Sequence, residues 1–382
     1  MRNVRISSYR NFLIASGHTI VDKIEDADGI LIWTCAFRKD TRDHSISEIV
    51  KCSKNKKEVF VAGCLPDIDK KYLARHFNGK VIPWRNDNIL IRRYFGAGKI
   101  VVDDMPLVLA KEQLYEDEVK FRREHPGYAV PYIGRYIQLY IAEGCPWECS
   151  YCSERLAFPP FKSYPEDQIL EAARREVNHS GKKKIILLAD SVGDYGRDTG
   201  SSLPKLIRRI RKEIPGAIIA MQDLNPIYFL NFRDDMVEFI KEGFIAHFQI
   251  PYQSANDRML KMMNRPYTKN DLVRVFGTLN EVKFKEIDSH IIVGFLNETE
   301  DEFKESVQFA IDYKIKYMLV NSFLESPNME IAKFRNKVSW REKEKRIKYA
   351  RQKFQEAGII CNYDHSSFAE ERFKIMVGRK TN

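Results

Sequence analysis

The sequence has no run approaching about 18 uninterrupted apolar residues, the length a helix needs to cross a bilayer, so no transmembrane helix is expected. Its first residues, Met1-Arg2-Asn3-Val4-Arg5, lack the apolar core of a signal peptide, and a cytoplasmic protein with no membrane partner is expected. No internal repeat and no low-complexity tract is evident. Cysteine is sparse and uneven: seven in 382 residues, at 35, 52, 64, 145, 149, 152 and 361, with none before position 35. In a reducing compartment such residues serve as metal ligands or buried thiols rather than disulfides.

What is present fits a folded globular protein. Hydrophobic residues make up 44% and aromatics 12% of the chain, and its length suits two or three domains. The formal net charge of +10 favours an acidic or nucleic-acid partner, but only as a field effect. The basic runs are short: Lys182 to Lys184, Arg208 to Lys212, and Arg341 to Lys348. The last alternates in sign and reads first as the solvated face of a helix, second as a nucleic-acid groove.

Residues 1–100 read as a small parallel α/β domain. The apolar run Gly29 to Trp33 and the run Val59 to Ala62 are short, with polar flanks, as buried parallel strands are. A helix is expected from about Asp43 to Ser53. Cys35 and Cys64 then each stand at the carboxyl end of a strand, where open α/β sheets bind ligands. Two buried structural thiols are the alternative. Cys52 lies on the helix close in angle to Ile49, which makes it a packed core residue. Residues 101–131 read as a linker, strongly charged from Lys111 to Glu124 and broken at Pro126-Gly127.

From about Tyr132 a strand-then-helix pattern recurs six times. The expected strands are Tyr136–Ala142, Ile185–Ala189, Ala217–Gln222, Ala246–Ile250, Ile287–Val293 and Tyr317–Phe323. Alternation at this spacing implies parallel strands. Six units are too few for a closed eight-strand barrel, so residues 132–335 should form an open, partial (β/α)6 TIM-like barrel with its site at the strands' carboxyl ends. Residues 336–382 complete the chain as a helix from about Trp340 to Ala357, a short apolar piece holding Cys361 as a packed thiol, and a basic tail.

The loop after the first barrel strand reads Gly144-Cys145-Pro146-Trp147-Glu148-Cys149-Ser150-Tyr151-Cys152. Thiolates are the usual ligands of iron–sulfur clusters. Three of them hold three irons of a 4Fe–4S cube and leave the fourth open for chemistry. A structural zinc site would need a fourth nearby Cys or His. The next cysteine is Cys361 and the nearest downstream histidine is His179.

This C-x-x-x-C-x-x-C spacing resembles the signature of the radical S-adenosylmethionine (SAM) enzymes. The wider chain resembles the methylthiotransferases of that superfamily. The fragments that carry the likeness are Ala27-Asp28 through Thr34-Cys35, Ala62-Gly63-Cys64-Leu65, Leu187 to Val192 with Tyr195-Gly196, Ile250 to Ser254, Leu260 to Arg265, and Ile291 to Phe295 with Glu298-Thr299. Ile141 to Cys145 and Cys35-Ala36-Phe37 resemble the branch that thiolates a ribosomal protein.

The resemblance implies a cluster on Cys145, Cys149 and Cys152 that cleaves SAM to a 5′-deoxyadenosyl radical. It implies sulfur carried on a second cluster in the N-terminal domain, with Cys35 and Cys64 as ligands. The expected product is a sulfur or methylthio group at an unactivated C–H bond. By position, Asp190 and Ser191 would face the methionine amino group, and Asp223 or Asn225 the ribose. Gln253 and Ser254 would stand at the same mouth, and Ile292 and Gly294 would line the adenine with Tyr151. A reductant such as flavodoxin or ferredoxin is implied, and a monomer is expected.

Three departures bear on the substrate. The family's N-terminal domain has a third cysteine on an early strand, where Ser7, Ser8 and Tyr9 stand here. The second cluster is then absent, held by an unusual third ligand, or hidden by a misplaced start codon. The 25 residues after Ala357 are too few for the family's RNA-binding β-barrel (382 − 357). Trp33, His290, Ala255 and Leu296-Asn297 replace the family's usual residues around the substrate. A peptide or protein substrate is therefore favoured, with tRNA as the alternative. If the second cluster is missing, radical chemistry without sulfur transfer is the further alternative, and a degenerate cluster-binding protein is the non-enzymatic one.

Overall fold

The structure is a computed structural model that describes residues 2–37, 39–96, 108–109, 136–362 and 374–380. The chain opens with a helix, Arg2–Ala15. Ile6, Tyr9, Phe12 and Leu13 recur at three- and four-residue spacing and are buried together. Ser7, Ser8 and Tyr9 therefore lie on a helix, not on the early strand that the resemblance suggested. After it come β1 (His18–Val21), β2 (Gly29–Thr34), β3 (Glu58–Gly63) and β4 (Lys80–Pro83). β2 is buried along its whole length, as the central strand of a sheet covered on both faces is. It pairs with β3 in parallel, from Gly29 opposite Glu58 to Thr34 opposite Gly63. The helix Lys39–Ser53 makes the crossover, and Cys52 is fully buried on it.

The second sheet begins with β5 (Val108–Leu109), which runs antiparallel to β6 (Ile137–Tyr140). β7 (Ala142–Glu143) and β8 (Lys162–Ser163) form a small separate ladder that brackets the cysteine loop. The sheet then continues through β9 (Lys184–Leu188), β10 (Ile218–Met221), β11 (Ile245–Gln249), β12 (Ile287–Val293), β13 (Tyr317–Ser322) and β14 (Ile360–Asn362). Among the described residues its order is β14-β13-β12-β11-β10-β9-β6-β5, an open sheet whose strands from β6 onward are parallel. The six expected strands are present within a residue or two. β5 and β14 extend the sheet at both edges, and each is too short to leave a periodic signal. The helices between strands carry the expected punctuation. Glu166–Ser180 stops at left-handed Gly181, and Glu300–Asp312 starts with a capping box of Thr299 and Glu302.

The chain's last segments leave the grouping read from sequence. The helix Trp340–Glu356 packs Ala350 and Phe354 into the barrel core. The tail does not trail away: β15 (Lys374–Lys380) inserts into the N-terminal sheet, antiparallel to both β1 and β2. That sheet has the order β1-β15-β2-β3-β4. Ile375 and Val377 alternate into the core, while Lys374 pairs with Glu48.

The two sheets meet at their carboxyl edges. Ser326 Oγ and Asn328 Nδ2 both donate to the Ile68 carbonyl, at 2.7 and 3.1 Å. Trp84 sets its ring edge-on to Trp33 and to Phe158, at 5.6 and 5.5 Å between centroids. Phe158 follows the cysteine loop and belongs to the N-terminal core, against which Cys145 and Cys152 also pack.

Removing residues 374–382 exposes the facing edges of β1 and β2 and takes the buried side chains of Ile375 and Val377 out of the N-terminal core. We expect a loss of about 3–6 kcal/mol from those two side chains. A thermal melt of the truncated protein coincident with that of the full chain would contradict this.

Candidate active site

The cysteine loop starts at a turn that only glycine accepts. Gly144 has φ +72°, and a Cβ there would lie 2.5 Å from the Pro159 carbonyl oxygen. From that turn the loop is held on two sides. On one, Gly144 N–H donates to Asp190 Oδ2 at 2.8 Å and Trp147 Nε1 donates to Asp194 Oδ2 at 2.7 Å. On the other, Ser150 gives its N–H to the Met263 carbonyl at 3.1 Å and its hydroxyl to the Met262 carbonyl at 2.6 Å. Asn264 Nδ2 donates to the Glu148 carbonyl at 2.9 Å. Within the loop, Cys152 N–H closes on the Cys149 carbonyl at 3.1 Å.

The three thiols are thereby brought into one electrostatic neighbourhood. Burial pushes the Cys145 thiol up to about 12, and backbone donation from Trp147 opposes it. Burial also drives Cys152 well above the ordinary thiol value, with Glu154 and Cys149 adding to the rise. Such thiols shed their protons when a cation takes their place. Among the described residues no three His, Cys, Asp or Glu side chains converge tightly enough to enclose a single ion. A polynuclear cube, which spreads its ligands over separate irons, suits three cysteines without a fourth.

Cys35 and Cys64 also stand side by side, directly after the paired residues Thr34 and Gly63 at the carboxyl edge of β2 and β3. Both are buried. Cys64 begins the short helix Leu65–Ile68, which abuts the turn Glu154–Leu156 just after the triplet. These are two thiols, where a cube with one open iron takes three.

The other residues expected around SAM divide into two groups. Asp190, Asp223, Gln253, Ile292 and Tyr151 lie at or near the carboxyl edge of the barrel sheet, with the Tyr151 hydroxyl accepting from Arg265 Nη1 at 3.0 Å. Asp190 Oδ1 and Gln253 Oε1 are buried acceptors with no hydrogen-bond donor among the described residues. Buried orphans of this kind call for a partner, and the amino and hydroxyl groups of SAM are donors. Asp223 and Gln253 also hold left-handed backbones, at φ 56° and 66°, right after β10 and β11. Ile292 and Tyr151 pack in one cluster with Met259, Met263 and Phe295.

The second group has its polar atoms engaged within the protein. Ser191 Oγ donates to Asp194 Oδ2 at 2.6 Å. Asn225 caps the helix Pro226–Asn231 through Ile227 N–H. Ser254 is fully buried and bonded to Ser306. Gly294 turns the chain at φ +75° and donates to Glu298 Oε2, which the Arg346 guanidinium holds at 2.9 Å.

Some residues of this edge were not singled out in the sequence. Glu154 is, after burial, the largest influence raising both Asp190 and Asp223, each to about 7. Asp194 gathers Trp147, Ser191 and Tyr228. Arg265 reaches Cys149 itself. Nothing in composition or periodicity marks these contacts: Asp194 meets Tyr228 and Trp147 across 34 and 47 residues, and Arg265 meets Cys149 across 116.

The model of the Radical SAM superfamily matches residues 139–310, and that of Uncharacterized protein family UPF0004 matches residues 3–82. The chain is 30% identical over 342 residues to a probable threonylcarbamoyladenosine tRNA methylthiotransferase of Pyrococcus horikoshii, covering 87% of this chain and 76% of that protein. The chain belongs to the radical SAM methylthiotransferase family. It is 29% identical over 360 residues to the ribosomal protein uS12 methylthiotransferase RimO of Fervidobacterium nodosum, covering 89% of this chain and 77% of that one. Against the mouse threonylcarbamoyladenosine tRNA methylthiotransferase it is 29% identical over 336 residues, 84% of this chain but 55% of that protein. The chain thus spans about half the length of the mouse and human relatives it matches. In fold it is similar to the radical SAM methyltransferase TsrM of Kitasatospora setae, with a TM-score of 0.54 at 12% identity over 79% of this chain and 65% of that one. The family implies a 4Fe–4S cluster and SAM.

The two raised carboxyls set a pH dependence. Asp190 and Asp223 bind protons more tightly folded than unfolded, so their contribution to stability is complete below about pH 4 and is lost as pH rises toward 7. Asp190→Asn in cluster-free protein should remove about 2–4 kcal/mol of that decline. Melting curves of the variant that fall in parallel with the parent's from pH 4 to 7 would refute it.

Proposed function

We propose that this chain is a radical SAM enzyme that inserts sulfur or a methylthio group at an unactivated C–H bond. The observation that carries the reading is the cysteine loop, stapled to two neighbouring loops at the carboxyl edge of a parallel sheet, with two orphaned acceptors at the same edge. Cys145, Cys149 and Cys152 would hold the cluster, and Asp190 and Gln253 would accept hydrogen bonds from SAM, with Asp223, Ile292 and Tyr151 around it. The cluster and SAM supply, when bound, the one-electron chemistry that no side-chain base provides. The protein's part is to orient SAM, exclude water through the Phe158–Trp84 contact, and keep Cys35 and Cys64 at the facing edge. That edge is the proposed station of the transferred sulfur. A flavodoxin or ferredoxin is the expected electron donor.

For the acceptor, a tRNA nucleoside is favoured here. The net charge of +10 suits a polyanion, and relatives named for tRNA stand among the most similar. A protein acceptor is the second reading, carried by the likeness to the uS12 enzymes.

Anaerobically reconstituted protein given SAM and a reductant should release 5′-deoxyadenosine, and Cys149→Ala should lower that release at least a hundredfold. Iron should stand at about eight per chain and fall to about four in Cys35→Ala/Cys64→Ala, two cubes becoming one. About four irons in the parent would leave radical chemistry without sulfur insertion. No 5′-deoxyadenosine from cluster-loaded protein would defeat the enzymatic reading altogether.

A further inference from the structure

Arg265 is a partly buried cation held by neutral partners and a thiol. Its Nε donates to the Tyr267 hydroxyl at 2.8 Å, and its Nη1 donates to the Tyr151 hydroxyl at 3.0 Å and to Cys149 Sγ at 3.2 Å. Its carbon fork also lies over the Tyr267 ring, 4.9 Å from the centroid. Among the described residues no carboxylate comes within ion-pair distance of it. Tyr267 is fixed in turn, its hydroxyl donating to the Tyr252 carbonyl at 3.0 Å.

A guanidinium does not shed its proton. Drawing one partly out of water without a counter-charge is unfavourable. Phenols with ordinary values of about 10 stay neutral and offer only dipoles. The arrangement is therefore complete only when a negative charge arrives at the atom the fork already touches. That atom is the sulfur of the middle cysteine in the triplet. A thiolate-bound iron–sulfur cluster brings net negative charge to that sulfur, and one more when it takes an electron.

We propose that Arg265 tunes the cluster's reduction: its fixed positive charge and its N–H···S bond to Cys149 stabilise the reduced state. Hydrogen bonds to cluster sulfurs and local charge are two of the levers by which a protein sets such potentials. The proposal rests on Cys145, Cys149 and Cys152 holding a cluster. Arg265 is a positioning and tuning residue, reaching the reacting atoms through Cys149. Tyr151 and Tyr267 keep its fork aimed at the sulfur.

The test is a potential, not an activity. In a Cys35→Ala/Cys64→Ala background, so that the triplet's cluster alone is observed, iron is quantified first. The midpoint is then read by electron paramagnetic resonance in a dithionite-poised titration without SAM. Arg265→Met should keep about four irons and shift the midpoint to more negative values. A tenfold fall in the reduced-to-oxidised ratio at fixed poise corresponds to about 59 mV. Arg265→Lys, which keeps charge but not the fork, should shift in the same direction by less. Arg265→Met with the parent's midpoint would overturn the proposal, even if SAM binding were weakened. If Arg265→Met loses its iron or does not fold, Arg265→Lys decides: a more negative midpoint supports the proposal and an unchanged one overturns it. A parent protein that binds no iron at the triplet refutes the cluster assignment itself, a separate result.

Discussion

Ser150 bonds twice to the Met262–Met263 backbone, and Gly144 bonds once to Asp190. Those contacts convert three thiols spaced along a loop into a fixed triangle, and the rest of the molecule is arranged around them. One partner follows the second barrel strand and the other follows the fourth, so the loop reports on the registry of the whole sheet edge. A change that tilts β9 or β11 therefore moves the sulfurs. The cost of the arrangement falls on the backbone of Asp223 and Gln253, which adopt left-handed conformations after strands, where Gly144 and Gly294 turn without strain. Strain of this kind, at one edge and in neighbouring loops, is typical of a site whose geometry is over-determined by packing.

The N-terminal sheet presents its own carboxyl edge to the same region. Trp33, Trp84 and Phe158 bridge the two domains ring to ring, and the helix that starts at Cys64 touches the turn after Cys152. The cysteine triplet and the Cys35–Cys64 pair thus lie toward the same contact between the two sheets. The Glu298–Arg346 pair is buried beside the turn that follows β12. It is costly to bury, but it pins the Gly294 turn beneath Ile292.

Much of this was legible in the sequence. The barrel strands announced themselves as short apolar runs, and their helices carried caps and glycine stops. The triplet was readable because cluster ligation demands a fixed spacing within one loop. Cys35 and Cys64 were readable because each follows a buried strand. What stayed hidden depends on partners distant in the chain. Ser191, Asn225 and Ser254 look like ligand residues in sequence, yet Asp194, Ile227 and Ser306 engage them. Arg265 was visible as part of a motif, but its aim at Cys149 emerges only when residues 116 apart are folded together. The strand Lys374–Lys380 was missed because a half-buried strand flanked by lysines and arginines has the composition of a solvated tail.

That last strand has a consequence for the order in which the molecule is made. β1 and β2 leave the ribosome early, but the strand that joins them comes more than 330 residues after β2 in the chain (374 − 34 = 340). Domains usually fold in turn from the N-terminus during synthesis. Here the first sheet cannot close until the second domain has been translated and its tail has come back. The β1 side of that sheet is therefore paired last, whereas β2 and β3, which lead into Cys35 and Cys64, pair directly with each other. Chain synthesis thus makes the closure of the first sheet wait for the last strand.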